Sequence, residues 1–192
     1  MRLIIALLLL STKVIGQDCS TLDNYSAFHG IKFGKKLPDS LRKYCSISYN
    51  EVRGDSIIEF FGDKLKLNRK ISEWLNVRLS FSYLSFGSLK DGRIYAVVLI
   101  QHLDNQDSFS ISKNQYPLFF ESVSDEISSF FGKQTSQNDV KDEFSNSLIR
   151  VWECSKTIVE FSLTYYGIFP GYSLTITNKE LEKQRIITKY SN

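Results

Sequence analysis

Histidine occurs only twice in this chain, as His29 and His102. A zinc site or a Ser-His-Asp triad would have to be built from these two residues, and no HExxH, CxxC or GxSxG motif accompanies them. A glycine-rich phosphate loop is also missing, since Phe33-Gly34 and Phe131-Gly132 are better interpreted as helix boundaries. We therefore predict no catalytic residue, no metal site and no cofactor. Whether the protein is an enzyme stays open, and a non-enzymatic role is favoured.

Proline is rare, with three residues, and no low-complexity linker divides the chain. The formal net charge is only +3, so the composition gives no support for electrostatic binding to nucleic acid or to an anionic membrane. Hydrophobic residues make up 42% of the chain and aromatic residues 14%, which is enough for a packed core. The expected class is a globular protein of one domain, or of two small halves that share a core.

Residues 1–16 have the pattern of an export signal. Arg2 supplies a positive charge, Leu3 to Leu10 form an apolar run, and Gly16 suits the position before a cleavage at Gln17. The apolar run is too short to cross a bilayer as a helix, and no later stretch is long and apolar enough to do so. We expect an exported protein, periplasmic or secreted, that begins near Gln17 and has no membrane span.

The segment from Pro117 to Phe131 has the periodicity of an amphipathic helix. Its expected apolar face consists of Phe119, Val123, Ile127 and Phe130. A proline suits the first turn of a helix, and Gly132 suits the turn that ends one. Three predicted strands follow it: Leu148 to Cys154, Thr157 to Tyr165, and Tyr172 to Thr177. Trp152 and Phe161 are predicted to pack beneath the helix.

An earlier part of the chain has elements in a similar order. A short helix is predicted over Leu37 to Cys45, followed by strands over Ser56 to Phe61, Val77 to Tyr83 and Arg93 to Leu103. We therefore predict an α+β protein of two diverged α-β-β-β units, with helices packed on one face of antiparallel sheet. Residues 17–110 form the first unit with an N-terminal segment, and residues 111–192 form the second with a C-terminal helix. One continuous sheet and two separate sheets both remain open.

The chain has three cysteines, Cys19, Cys45 and Cys154, and export permits a disulfide between two of them. We predict that Cys19 and Cys45 form the disulfide, which would join the N-terminal segment to the first helix. Cys154 is then expected to be a buried thiol, because free cysteine is among the residue types most often buried.

The order of elements from Phe28 to Thr177 resembles that of uncharacterised exported bacterial proteins with tandem α-β-β-β units. The resemblance lies in the glycine-ended helix and the strands that hold Trp152 and Val159 to Tyr165. Such proteins of Bacteroidota-like bacteria begin with a Gly-x-x-Phe-Gly segment similar to residues 30–34. The layout is also similar to modules of the β-lactamase-inhibitor-protein and outer-membrane-assembly-lipoprotein kind. This resemblance implies helices on one sheet face, with the other face and the loops binding another protein.

Two predicted loops are aromatic and apolar, where turns are usually polar: Tyr83 to Leu89 and Tyr165 to Tyr172. If these loops are exposed, they form a patch of the kind that marks interaction sites. In the alternative, they fold back over the end of the sheet and are simply packed. The candidate partner-binding residues are Tyr166, Phe169, Tyr172 and Phe86.

The leading hypothesis is an exported, non-enzymatic binding module for a protein or a cell-envelope partner. Two alternatives are a carrier that holds a small apolar ligand between sheet and helices, and a hydrolase that uses carboxylates. Glu153 and Glu160 lie on adjacent predicted strands, and we interpret both as solvent-facing members of alternating patterns. The oligomeric state stays open.

Overall fold

The computed structural model describes residues 19, 23, 27–28, 31–51, 53–60, 81, 83–103, 115–141, 146–165 and 170–190. The predicted export signal and most of the strand predicted over Val77 to Tyr83 lie outside these residues.

The strands and the short helix described in the first part of the chain are as follows. These are β1 (Ala27–Phe28), β2 (Ile31–Lys32), α1 (Asp39–Arg42), β3 (Cys45–Asn50), β4 (Asp55–Phe60), β5 (Tyr83–Ser88) and β6 (Ile94–His102). The second part contains α2 (Tyr116–Phe131), β7 (Ser136–Lys141), β8 (Asn146–Glu153), β9 (Thr157–Thr164), β10 (Gly171–Asn178) and α3 (Lys179–Tyr190). The prediction of an α+β protein is therefore confirmed at the level of fold class.

One antiparallel sheet of eight strands forms the centre of the described structure. Its strand order is β3-β4-β5-β6-β10-β9-β8-β7, and a separate two-stranded ribbon pairs β1 with β2. Each half of the chain contributes four strands in sequence order, and the two sets meet where β6 pairs with β10. The described strands thus answer the question of one sheet or two in favour of one main sheet, to which each half contributes four strands where three were predicted.

Helix α2 covers one face of the sheet, which we call the covered face. The aromatic rings of Phe120 and Phe161 stack with their centroids 4.7 Å apart, and Trp152 Nε1 donates a hydrogen bond of 3.0 Å to the Gly132 carbonyl oxygen. Trp152 and Phe161 are fully buried, as predicted. Burial of each such side chain contributes about 2–3 kcal/mol to the stability of the fold, which makes this contact a main source of it.

The buried stripe of α2 differs from the predicted one at both ends. It consists of Tyr116, Phe120, Val123, Ser124, Ile127 and Phe131. Phe119 is only partly buried, and Phe130 is 37% exposed. The predicted helix end is confirmed, because the Gly132 backbone has a φ of +83° and its N–H donates to the Ser128 carbonyl oxygen at 2.8 Å. Glycine adopts this left-handed φ without steric cost.

Helix α3 packs on the opposite face of the sheet, at one end. Leu181 of α3 belongs to a small apolar cluster with Leu89, Tyr95 and Ala96, separate from the cluster beneath α2. Ala96 pairs with Gly87 and Thr177, while the next residue, Val97, is part of the main core. Since successive strand residues point to opposite faces, α3 and α2 lie on different sides. The prediction that the helices share one face is wrong for α3.

The disulfide joins Cys19 to Cys154, with the Cα atoms 5.4 Å apart, and Cys45 is a free thiol. Both the predicted Cys19–Cys45 pair and the predicted free thiol at Cys154 are therefore wrong. Cys45 begins β3, an edge strand that lies six strand spacings from β8, the strand that Cys154 follows. At about 4.8 Å per spacing, this places Cys45 roughly 25–30 Å away from the site of the bond.

The N-terminal segment is held against the turn between β8 and β9, which explains why Cys19 reaches Cys154. The Asp23 carboxylate accepts hydrogen bonds from the backbone N–H groups of Lys156 and Thr157 at 2.9 and 3.1 Å, and from the Ser155 hydroxyl. Burial acts to raise the pKa of Asp23, but these hydrogen bonds outweigh it, and the pKa is lowered from its usual value. No local sequence pattern predicts a contact between residues so far apart in the chain.

Candidate binding surface

Two of the four predicted partner-binding residues belong to the hydrophobic core. Phe86 is 0% and Tyr172 is 1% exposed, and their rings form edge-to-face contacts with Phe60 and Phe81, respectively. The prediction that Phe86 and Tyr172 are exposed contact residues is wrong. The alternative, that these aromatic residues are packed, is confirmed for both. Tyr166 and Phe169 lie outside the described residues, so their contact role stays a prediction.

The segment from Tyr83 to Ser88 forms strand β5, although its aromatic residues and its glycine had indicated a loop. Gly87 has no turn function here. A Cβ at this position would lie 2.7 Å from the ring of Tyr95, so glycine leaves room for that ring to cross the strand. The register between β5 and β6 shifts next to Gly87, where Tyr95 is an extra residue in β6. Such a bulge turns a side chain toward the other face, here the face of α3.

The face of the sheet opposite α2 carries a surface that we call the open face. It consists of ten half-exposed side chains on β6, β8, β9 and β10: Val98, Ile100, Ile149, Val151, Ile158, Glu160, Ser162, Thr164, Ser173 and Thr175. The strand register places Val151, Glu160, Thr175 and Val98 in one row across the four strands. On β9, buried and half-exposed residues alternate along the whole strand, so one strand serves both faces.

Hydroxyl groups on the open face are hydrogen-bonded to one another across the strands. The hydroxyls of Ser162 and Ser173 lie 2.8 Å apart, and the Thr164 hydroxyl lies 3.0 Å from that of Ser147, which pairs with it on the neighbouring strand next to the ten residues. A polar group that already has a partner loses less free energy when water is removed from it. The β-branched residues between these pairs supply apolar area. The open face can therefore be covered by another molecule at a small desolvation cost.

The carboxylates of this region differ in their surroundings. Glu153 and Glu160 lie on adjacent strands of the same face, which agrees with their interpretation as solvent-facing residues. Glu153 forms an ion pair with Lys179 Nζ at 2.5 Å. Among the described residues, no lysine or arginine forms an ion pair with Glu160. Glu160 is thus the carboxylate of the open face that is available to an incoming positive charge.

On the covered face, by contrast, a buried positive charge is compensated within the protein. The Arg150 guanidinium lies beneath α2, where it forms ion pairs with Glu121 at 2.5 Å and with Asp139 at 2.6 Å. It also stands over the ring of Phe120, with its Cζ 5.2 Å from the ring centroid. Because both carboxylates compensate this charge, Arg150 links α2 to the strands β7 and β8 and is not offered to a partner.

A second polar group extends the same sheet face across β4 and β5. The Tyr83 hydroxyl donates a hydrogen bond of 2.5 Å to Glu59 Oε1, and the Ser46 hydroxyl is 3.5 Å from Glu59 Oε2. Burial, together with this carboxylate, raises the pKa of Tyr83 to about 12. The Glu59 carboxylate is therefore already engaged within the protein.

A buried network fastens α3 to the end of this face. Asp55 is 0% exposed and accepts a hydrogen bond from the Tyr95 hydroxyl, while Arg53 Nη2 lies 3.2 Å from its Oδ2 atom. The Arg185 guanidinium of α3 stands 5.6 Å from the centroid of the Tyr95 ring. Burial, with the hydrogen bond to Asp55, raises the pKa of Tyr95 to about 12. The contacts hold α3 at the border of the open face.

One of the two histidines lies within the described residues. His102 ends β6, and His29 lies outside the described residues. Within the part of the chain that is described, no group of three or more His, Cys, Asp or Glu residues is arranged to hold a metal ion. No described helix is long and apolar enough to cross a membrane.

Comparisons with family models, with curated proteins and with solved structures give no match for this chain.

Proposed function

We propose that this protein is an exported, non-enzymatic binding module, and that it contacts a protein partner through the open face. The observation that carries the proposal is the composition of that face. Five half-exposed β-branched residues, Val98, Ile100, Ile149, Val151 and Ile158, lie among hydroxyl groups that are paired with one another. When a partner covers a surface of this kind, the burial of apolar area is favourable in free energy, and few polar groups lose their hydrogen bonds.

The alternative function, a carrier of a small apolar ligand between sheet and helices, has less support. The contact of α2 with the sheet is filled by the side chains of Phe120, Phe161, Trp152 and Phe131, each with 0% of its surface exposed. The stacked rings of Phe120 and Phe161 are in van der Waals contact, so no ligand fits between them. The binding hypothesis needs no such cavity and uses a surface that is already accessible.

The proposed layout also agrees with the duplication that we infer from the sequence. In each half a helix precedes four antiparallel strands that are neighbours in sequence order. Two diverged units joined along β6 and β10 would produce a broad, continuous sheet with one uncovered region. In the exported binding modules that the chain resembles, the face away from the helices contacts another protein; here α3 occupies one end of that face, and the open face is the remainder.

The test compares two arginine substitutions in the purified, disulfide-bonded protein. Thr175→Arg places a long charged side chain in the middle of the open face, and Ser122→Arg places the same side chain on the exposed side of α2. The wild-type and variant proteins are immobilised and exposed to the secreted and envelope proteins of the source organism. We expect a partner protein that binds to the wild type and to Ser122→Arg but does not bind to Thr175→Arg. If every bound protein is retained equally by both variants, the open face is not the contact surface.

A further inference from the structure

We propose that the partner is a polypeptide that places a lysine or arginine side chain on Glu160, an inference that rests on the proposed binding function. Glu160 is the one charged residue among the ten half-exposed positions of the open face, and the more exposed Glu153 on the same face is already paired with Lys179. No lysine or arginine occupies any of those ten positions, although the chain contains 24 such residues. The formal charge among these ten positions is thus the single negative charge of Glu160.

The position of Glu160 makes its charge decisive for the choice of partner. In its row it lies between Val151 and Thr175, and along β9 its neighbours on the same face are Ile158 and Ser162. A partner that covers these surrounding residues removes water from the carboxylate. The attraction between Glu160 and a partner cation is then stronger than at an open surface, because the local dielectric constant is lower.

The same geometry rejects partners without a basic group. A neutral surface would leave the Glu160 carboxylate buried without a compensating charge, and an acidic surface would add repulsion. A second copy of this chain, docked face to face, would bring two Glu160 side chains toward one another. The Lys179 ammonium cannot replace the missing partner, because it forms its ion pair with Glu153. The observations therefore favour a basic polypeptide over a neutral one, an acidic one or a self-associated dimer.

The experiment measures the binding of three fluorescent decapeptides by fluorescence anisotropy. In each peptide isoleucine alternates with one other residue, which is lysine, serine or glutamate. The proteins are the wild type, Glu160→Gln, Glu160→Lys and the matched control Asp125→Asn, which removes an exposed carboxylate from α2. We expect the wild type and Asp125→Asn to bind the lysine peptide about tenfold more tightly than the serine peptide, as for one well-placed charge pair. Glu160→Gln should abolish that preference, and Glu160→Lys should shift it to the glutamate peptide.

The outcomes separate this inference from the proposed function. Equal binding of the lysine and serine peptides by the wild type, blocked in both cases by Thr175→Arg, would overturn the basic partner and leave the open face as a binding surface. A preference for lysine that survives in Glu160→Gln would place recognition elsewhere and overturn the inference as well. Absence of binding by all three peptides would also count against it. The side chain of Glu160 is half-exposed, so thermal melting of each variant should match the wild type and serves as the folding control.

Discussion

The covered face and the open face of the sheet are built by the same strands but have opposite properties. On β9, Val159, Phe161 and Leu163 are buried under the helix side, whereas Glu160 and Ser162, between them, are half-exposed. The buried charge of Arg150 is compensated twice, and the charge of Glu160 has no ionic partner among the described residues. The alternation of side chains along a strand thus gives one element a buried face and a half-exposed face. Substitutions on the two faces should therefore change the free energy of unfolding by very different amounts.

The largest expected effect comes from the covered face. Phe161→Ala removes a ring that stacks on Phe120 and should lower the free energy of unfolding by about 3–5 kcal/mol, because a cavity remains beneath α2. The matched substitution, Ser162→Ala, changes the next residue on the open face and should cost no more than about 1 kcal/mol. Urea unfolding of both variants measures the difference. Similar losses in the two variants would remove the distinction between the faces.

The second effect concerns the disulfide that holds the N-terminal segment to the turn after β8. Cys19 and Cys154 are separated by 135 positions, so opening the bond frees a long loop in the unfolded chain. Cys19→Ser combined with Cys154→Ser should lower stability by about 2–5 kcal/mol. The control is Cys45→Ser, which removes the free thiol and leaves the bond. Peptide mapping without reductant that finds Cys45 in a disulfide would contradict the pairing.

A smaller effect on stability is expected at alkaline pH, because two tyrosines of the described structure, Tyr83 and Tyr95, have raised pKa values. The pKa values of Tyr83 and Tyr95 are raised to about 12, against an ordinary value of 10. A raised pKa in the folded state means that the stabilisation is complete below pH 10 and is lost as the pH rises toward 12. Stability should therefore fall across this interval.

Absorbance titration near 295 nm checks the assignment of these two tyrosines. The wild type should show a late phase near pH 12, and Tyr83→Phe and Tyr95→Phe should each remove the contribution of one tyrosine from it. If either variant leaves the late phase unchanged, the hydrogen bond from that tyrosine to its carboxylate is not present in solution.

The smallest effect is expected from the open face itself. Thr175→Arg places an arginine where the present side chain is half-exposed, and its long aliphatic stem can lie along the neighbouring β-branched residues. The free energy of unfolding should change by about 0.5 kcal/mol or less. Differential scanning calorimetry measures it. A loss as large as that of Phe161→Ala would mean that Thr175 is packed beneath other parts of the chain.

The sequence predicted the second half of the fold better than the first half. Helix α2 and strands β8, β9 and β10 carry long apolar periodicities that reflect their packing in the core, and all of them were predicted, as was the C-terminal helix α3. Strand β7 was missed because all six of its residues are exposed, so its sequence has no alternation to read. Edge strands such as β7 depend on backbone pairing with a neighbour, which leaves little trace in composition.

The errors at the candidate site have a common physical cause, which is contact between distant residues. Gly87 indicated a turn, but its role depends on the ring of Tyr95, which comes from the neighbouring strand. The partner of Cys19 is set by the turn that Asp23 caps, far along the chain. The alternation in β9 did predict that Glu160 faces solvent. Its lack of a basic neighbour requires the strand order, which a single sequence does not contain.

The most direct test of the separation between the faces is thiol labelling at two adjacent positions of β9. In a Cys45→Ser background the disulfide-bonded protein has no other free thiol, so Ser162→Cys and Leu163→Cys each introduce one reactive group. A maleimide reagent is added to each folded protein, and the rate of labelling is followed by mass spectrometry. We expect Ser162→Cys to react rapidly in the native protein and Leu163→Cys to react only after unfolding in urea. Equal protection of the two thiols would contradict this expectation, because the open face would then be covered.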